Sequence, residues 1–158
     1  MSAPATRSTI DPATAPPTRA AHVAVGGLFF ICGVAFACWA SRIPQVQAAL
    51  ALSPATLGAA IAGLGAGSFV AMPLSGWLTI RVGSRPVASW AALACSASLV
   101  LPALAWDAVS LAAALAVFGA AIGVLDVAMN AQAVELEHRV GRSIMSGLHA
   151  LFSAGGMT

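Results

Sequence analysis

The chain has 158 residues, of which 59% are hydrophobic and only 8% are charged. A water-soluble domain carries about 25% charged residues, because its surface must be hydrated. The composition therefore excludes an ordinary soluble domain and predicts that a lipid bilayer surrounds most of the chain. The formal net charge of +2 is small and spread along the sequence, so we expect no nucleic-acid partner.

The first twenty residues differ from the rest of the chain. They are rich in Pro, Thr and Ala and show no hydrophobic periodicity. Such a segment cannot bury enough apolar surface to fold. We therefore expect residues 1–20 to form a disordered cytoplasmic tail, and residues 21–158 to form a partial helical bundle.

Four later segments are long and apolar enough to span a bilayer, which takes roughly 20 residues. They cover about residues 23–41, 57–80, 87–106 and 109–134. A fifth helix begins near Ile144, but the 15 residues from there to Thr158 would reach only about 22 Å, short of the roughly 30 Å of hydrocarbon. The sequence predicts an all-α integral membrane fold with four full transmembrane helices and an incomplete fifth (144–158). It also predicts that this is the N-terminal part of a longer protein.

The arginines predict the orientation of these spans. If the N-terminus is cytoplasmic, six of the seven arginines lie on the inner side and Arg42 alone lies on the outer side. The inner six are Arg7, Arg19, Arg81, Arg85, Arg139 and Arg142. This positive-inside bias predicts a multi-pass protein of the bacterial inner membrane with a cytoplasmic N-terminus. The tryptophans predict aromatic belts, with Trp39 and Trp106 outside and Trp77 and Trp90 inside.

Small residues recur every four positions in the second segment, at Ala59, Gly63, Gly67, Ala71 and Ser75. A ridge of small side chains allows the backbone of a neighbouring helix to approach closely. The pattern favours static helix packing, although a moving contact surface would require the same residues. Pro73 lies within this segment and removes one backbone hydrogen bond.

One stripe of the fourth segment combines small and polar residues, at Gly119, Gly123, Asp126 and Asn130. This face cannot point at lipid, because an aspartate near the bilayer centre costs about 2.5–3.5 kcal/mol on insertion scales. Two interpretations remain open. Asp126 is either a structural carboxylate, hydrogen-bonded to a neighbouring helix with help from Asn130, or it faces a water-filled cavity and binds substrate hydroxyls or a proton.

Two other polar residues have alternative interpretations. Arg42 ends the first segment, where it either snorkels to the outer interface or lies at a cavity mouth and contacts substrate. His149, in the incomplete fifth helix, is either a proton-relay candidate or a packing residue.

Catalytic and metal-binding signatures are missing from the sequence. No Walker, GxSxG, HExxH or dinucleotide-binding motif occurs, which argues against an enzyme. The cysteines Cys32, Cys38 and Cys95 lie in apolar runs without metal-ligand spacing, so no disulfide framework, metal site or cofactor is expected.

The loop "GWLTIRVGSRP" between the second and third segments resembles the signature loop of the major facilitator superfamily, G-x-x-x-D-R-x-G-R-[RK]. The matching residues are Gly76, Arg81, Gly83 and Arg85. Ile80 stands where the family has Asp, and Ser84 stands where it has Arg. The resemblance implies that this loop is a cytoplasmic gating element between the two halves of a carrier.

A second likeness concerns the first and fourth segments. "FFICGVAFACWA" and "GVLDVAMNA" resemble the corresponding helices of fucose-permease-like sugar/proton symporters. In that branch the fourth helix carries an acid followed four residues later by Asn, matching Asp126 and Asn130. The acid of its first helix falls at Ala40 and is absent. The resemblance implies that Asp126 faces the central cavity and takes part in substrate binding or proton coupling.

The function implied by the resemblance is secondary active transport of a small polar solute such as a sugar, by alternating access and with proton coupling. The expected partners are a small-molecule solute, the lipid bilayer and the remaining helices of the full-length carrier. A drug or metabolite exporter of the same fold is one alternative. A small multi-helix scaffold protein without transport activity is the other.

Overall fold

A computed structural model of the protein describes residues 19–158, in which five α-helices follow one another. They are α1 (Arg19–Ala49), α2 (Pro54–Val82), α3 (Ser84–Ser98), α4 (Ala108–Val140) and α5 (Met145–Gly155). The described residues contain no strand, and four helical segments are long and apolar enough to cross a membrane. The all-α membrane fold is therefore confirmed. Residues 1–18 of the predicted tail lie outside the described residues, whereas Arg19 and Ala20 begin α1.

Three helices differ clearly in extent from their predicted segments. Helix α4 continues beyond the predicted end at residue 134 to Val140. Helix α1 does not end near Ser41 but continues through Pro44 to Ala49, because Ile43 and Val46 still pack against the core. The third segment is not one helix over 87–106. Its α-helix ends at Ser98, and a short 3-10 helix (Leu101–Leu104) follows, in which Pro102 cannot donate a backbone hydrogen bond.

The connection between α2 and α3 is a single residue, Gly83. Its φ of +92° lies in a region that favours glycine, and its N–H donates to the Thr79 carbonyl to close α2. Such a tight turn places α2 and α3 side by side in opposite directions. At the other end of α2, the Ser53 hydroxyl accepts a hydrogen bond from the Thr56 N–H and caps the helix.

The most intimate packing joins helices that are not adjacent in sequence. A Cβ atom added at Gly67 would lie 1.9 Å from the Ala116 carbonyl oxygen, and one added at Gly123 would lie 2.8 Å from the Ser68 carbonyl oxygen. The paired residue numbers rise together along the two helices, so α2 and α4 run parallel with their backbones in contact. The small-residue ridge of α2 thus packs against α4 from Gly63 to Ser75, as predicted.

Helices α1 and α5 form a second pair in close backbone contact. They run parallel, because Phe29 contacts His149 and Val34 lies against Gly155 further along both helices. A Cβ atom at Gly33 would lie 2.0 Å from the Phe152 carbonyl oxygen, and one at Gly155 would lie 2.2 Å from the Phe30 carbonyl oxygen. The two pairs then meet through α1 and α4, whose large side chains Phe29, Phe118 and Leu125 are fully buried.

Trp39 departs from the belt prediction. Only 3% of its surface is exposed, and it packs in the core between α1 and its neighbours. Trp77, Trp90 and Trp106 are all exposed, as belt residues would be. The prediction for Trp39 was wrong because position along a span does not reveal which face of the helix turns inward.

Hydrogen bonds reinforce the contact between α2 and α4. The Ser75 hydroxyl, fully buried, donates to the Val124 carbonyl oxygen at 2.9 Å. Interhelical hydrogen bonds of this type average about 0.6 kcal/mol in membrane proteins. We expect Ser75→Ala to lower the free energy of unfolding by about that amount, measured by titration with a denaturing detergent. Ser96→Ala is the matched control, because Ser96 is exposed and bonds only within its own helix. Equal losses for both variants would contradict this assignment.

Asp107 starts α4 with a capping box. Its carboxylate accepts a hydrogen bond from the Ser110 N–H at 2.7 Å, and the Ser110 hydroxyl lies 3.0 Å from the Asp107 N–H. The backbone N–H of Ser110 and then its side chain hold the pKa of Asp107 below its ordinary value of 3.8. Because the folded pKa is lowered, this cap stabilises the protein above the ordinary pKa and is lost as the pH falls through the folded pKa.

This cap gives a pH-dependent prediction. At neutral pH we expect Asp107→Ala to lower the melting temperature and Asp107→Asn to leave it nearly unchanged, since Asn caps about as well as Asp. On acidification the wild-type protein loses its advantage over the Ala variant, whereas the Asn variant keeps it. Melting followed by tryptophan fluorescence in detergent measures these differences. A wild-type advantage over the Ala variant that is the same at every pH would count against the capping role.

Candidate functional site

Asp126 lies near the midpoint of α4, in the part of the helix that is enclosed by other helices. Its side chain is half-buried, as is that of Asn130 one turn later. The Asn130 amide nitrogen donates to the Asp126 backbone carbonyl at 2.8 Å and lies 3.2 Å from Oδ1 of its carboxylate. The two side chains therefore form one polar unit, and Asn130 orients the carboxylate.

The stripe that contains these residues divides into two parts. Gly119 and Gly123 are buried against the backbone of α2. Asp126, three residues beyond Gly123, is half-buried and lies close enough to α1 to act electrostatically on the Cys32 thiol. The close approach of α2 therefore fixes the rotation of α4, and that rotation places Asp126 beside α1.

The carboxylate of Asp126 retains unused capacity for hydrogen bonds. Among residues 19–158, its side chain is bonded only to Asn130 on its own helix, and Oδ2 accepts nothing. The described chain contains one ion pair, Glu135 with Arg139 near the end of α4, so Asp126 has no cationic partner there. A structural carboxylate of the type considered above would be bonded to a neighbouring helix, and no such bond occurs in this part of the chain.

Arg42 lies far from Asp126, at the opposite end of α1 from Arg19. Its Nη1 donates to the Gln45 side-chain oxygen at 2.9 Å, and the residue is exposed. It lines a groove of about 570 Å³ between the ends of α1 and α3, together with Trp39 and Pro102. The structure therefore does not bring Arg42 together with Asp126 and Asn130.

The predicted gating residues surround the α2–α3 turn. The guanidinium of Arg81 stacks over the Trp77 ring, 5.1 Å from its centroid, and Arg85 is exposed in the first turn of α3. Gly83 forms the turn itself, and a Cβ atom at Gly76 would meet nothing within 4 Å. The loop motif is thus assembled at one surface of the bundle, away from Asp126.

Glu137, near the end of α4, has a structural role in the connection to α5. Oε2 of Glu137 accepts hydrogen bonds from the N–H groups of Ile144 and Met145, at 2.8 and 3.0 Å. It therefore caps the start of α5 and ties that helix to the end of α4. The signal available in the sequence was an acid eight residues before the first residue of a helix whose N-cap residue, Ile144, has no capping side chain.

His149 is held by packing on one side. Its ring makes an edge contact with Phe29, with the centroids 5.2 Å apart, and its Nδ1 lies 3.1 Å from the Met145 carbonyl oxygen. Because Nδ1 donates to that carbonyl, Nε2 is the nitrogen left to accept a proton.

The chain is similar in sequence to several curated membrane proteins, two of which are named as transporters. The chain is 46% identical over 129 residues to an uncharacterized MFS-type transporter of Yersinia pestis. The aligned residues cover 82% of the chain and 34% of that relative. It is 36% identical over 127 residues to the uncharacterized transporter y4wD of Sinorhizobium fredii, covering 80% of the chain and 34% of the relative. These similarities support a major facilitator transporter. No family model and no solved structure matches the chain.

The relatives that the chain matches are longer than the chain itself. Membrane protein MosC of Rhizobium meliloti is 36% identical over 142 residues, covering 90% of the chain. The chain spans about a third of the length of the curated relatives it matches.

Proposed function

We propose that the full-length protein is a secondary active transporter that carries a small polar solute, such as a sugar, across the bacterial inner membrane. Asp126 carries this proposal, because it is a half-buried carboxylate in mid-helix with neither a cation nor a neighbouring helix as its partner in residues 19–158. An acid retained in such a place at a cost of a few kcal/mol is typical of a substrate or ion pathway.

The roles of the individual residues follow from their geometry. Oδ2 of Asp126 is available to accept a hydrogen bond from a solute hydroxyl or to take up a proton, and Asn130 holds the carboxylate in position. A carboxylate that binds the solute and also takes up a proton would couple solute binding to proton movement. Arg42, at the far end of α1, is assigned to the outer mouth of the pathway rather than to this site.

The helix arrangement is compatible with alternating access. Backbone-to-backbone contacts make α2 and α4 one rigid unit, and α1 and α5 another. Rigid units of this kind move as bodies, which is what rocking of one half of a carrier against the other requires. The Gly76, Arg81, Gly83 and Arg85 loop is assigned to closing the cytoplasmic side, with the N-terminus of the chain in the cytoplasm.

The test is a flux assay on the full-length protein in sealed lipid vesicles. An imposed pH gradient, inside alkaline, should drive accumulation of at least one radiolabelled sugar from a panel of hexoses and pentoses, and a protonophore should abolish it. Gradient-driven extrusion of a fluorescent dye, with no sugar movement, would instead support a drug exporter of the same fold. If neither sugars nor dyes move, the proposal of transport is wrong.

A further inference from the structure

The two helix pairs repeat each other along the chain. For five of the seven buried residues of α1, the residue 90 positions later in the sequence, in α4, is also buried. The pairs are Val25 with Leu115, Phe29 with Gly119, Gly33 with Gly123, Ala35 with Leu125 and Trp39 with Met129. The glycine contacts follow the same rule, since Gly33 touches the backbone of α5 as Gly123 touches that of α2.

The same offset of 90 residues relates the two polar residues of α4 to two residues of α1. At the same offset, Asp126 corresponds to Phe36 and Asn130 corresponds to Ala40. Both α1 residues are exposed, and 45% of the Phe36 surface is accessible. The face of α1 that carries them is therefore equivalent to the face of α4 that carries Asp126.

A second observation, independent of the repeat, concerns the packing of α1 against α4. Cys32 is buried in the core cluster that also contains Leu125 and Met129 of α4, the residues that flank Asp126 on either side of its helical turn. The Asp126 carboxylate also acts electrostatically on the Cys32 thiol. Phe36 lies one helical turn beyond Cys32, about 6 Å along the axis and on nearly the same face, but it is exposed. The Phe36 ring therefore lies on the exposed continuation of the α1 face that packs against α4.

We propose that Phe36 forms the apolar wall of the solute pathway whose polar side is Asp126 with Asn130. Small-molecule sites combine apolar and aromatic surface with a few placed polar groups. An aromatic ring beside a carboxylate and an amide suits a solute with hydroxyl groups on one edge and a C–H face on the other, which is the chemistry of a sugar or polyol. This inference rests on the transport function proposed above and adds a residue that determines specificity.

The alternative location for an exposed phenylalanine is the lipid, and cysteine labelling separates the two. The test uses a cysteine-free version of the full-length carrier, in membrane vesicles, treated on both sides with a charged trimethylammonium methanethiosulfonate reagent. Single cysteines are introduced as Phe36→Cys and Asp126→Cys. Leu93→Cys is the control, because Leu93 is 61% exposed on the face of α3 turned away from α4.

We expect the reagent to modify the cysteines at 36 and 126 and to leave the one at 93 unmodified. If the cysteine at 126 reacts while that at 36 is as inert as that at 93, Phe36 faces lipid and the inference is wrong, although the transport proposal stands. If neither 36 nor 126 reacts, both proposals fail. If 36 reacts and 126 does not, the two residues share no pathway. Ala40→Cys, one turn further on the same face, gives the same answer should Phe36→Cys fold poorly.

Discussion

Asp126→Asn in the full-length carrier is expected to abolish solute accumulation against a gradient while leaving the protein folded and inserted. The amide keeps the size of the side chain and its hydrogen bond with Asn130, but it can neither carry charge nor take up a proton. If Asp126 couples proton movement to transport, accumulation should disappear and only downhill exchange of solute should remain. The measurement is uptake of the transported sugar into vesicles with and without the imposed pH gradient.

Asp107→Asn is the matched control for this experiment. It makes the same chemical change in the same helix, but at an exposed capping position at the start of α4. We expect its uptake to equal that of the wild-type carrier. Undiminished gradient-driven uptake by the Asp126 variant would remove Asp126 from the coupling mechanism. Equal losses in both variants would show that the change acts on folding or insertion instead.

Gly119→Ala is expected to have the largest effect on stability of any single methyl addition described here. The added Cβ would lie 2.0 Å from the Leu64 carbonyl oxygen and 2.8 Å from its Cα. These are backbone atoms, so the contact is relieved only by separating α4 from α2. Overpacking of this kind typically costs about 1–3 kcal/mol. We expect a loss at the upper end of that range, measured as the free energy of unfolding in a detergent titration.

Gly65→Ala provides the control for this substitution. Gly65 lies in α2 one residue beyond Leu64, and a Cβ atom there would meet nothing within 4 Å. Alanine is favoured over glycine in a helix interior by about 1 kcal/mol, so the control variant should be at least as stable as the wild-type protein. A Gly119 variant as stable as the Gly65 variant would mean that the two helices do not approach as closely as described.

Displacement of α4 also has a functional consequence. The contact of Gly119 and Gly123 with α2 sets the rotation of α4 and thereby the position of Asp126 beside α1. Gly119→Ala should therefore reduce transport even at temperatures where the carrier remains folded. Packing and the candidate site are coupled through this one helix.

Several features of the fold were predictable because they depend on local patterns. The number of spans follows from runs of apolar residues, and the ridge from Gly63 to Ser75 follows from spacing along one helix. Asp126 and Asn130 were predicted to share one helix face because they are four residues apart, and the Asn130 amide donates to the Asp126 backbone carbonyl. The break in the third segment was missed, although Pro102 was visible in the sequence.

Other features could not be predicted from local patterns. Trp39 lies at the expected level of α1, but it turns into the core instead of facing the interface. The bonds of Glu137 to Ile144 and Met145 depend on how the chain turns between α4 and α5. The orientation of Trp39 depends on the rotation of α1, and the bonds of Glu137 depend on the path of the loop after α4. Contacts with neighbouring helices determine both.

The sequence by itself determined the lipid environment, the approximate spans and the residues that share each helix face, because hydropathy and helical periodicity are local properties of the chain. Only the tertiary structure decided that α2 pairs with α4 and α1 with α5, and that Asp126 consequently lies beside α1 without a partner on another helix in the described residues. Lipid surrounds every span equally, so the hydrophobic effect does not choose between neighbours. Close approaches to backbone atoms of residues far apart in sequence, such as Gly119 to Leu64 and Gly33 to Phe152, make that choice, and no local pattern contains them.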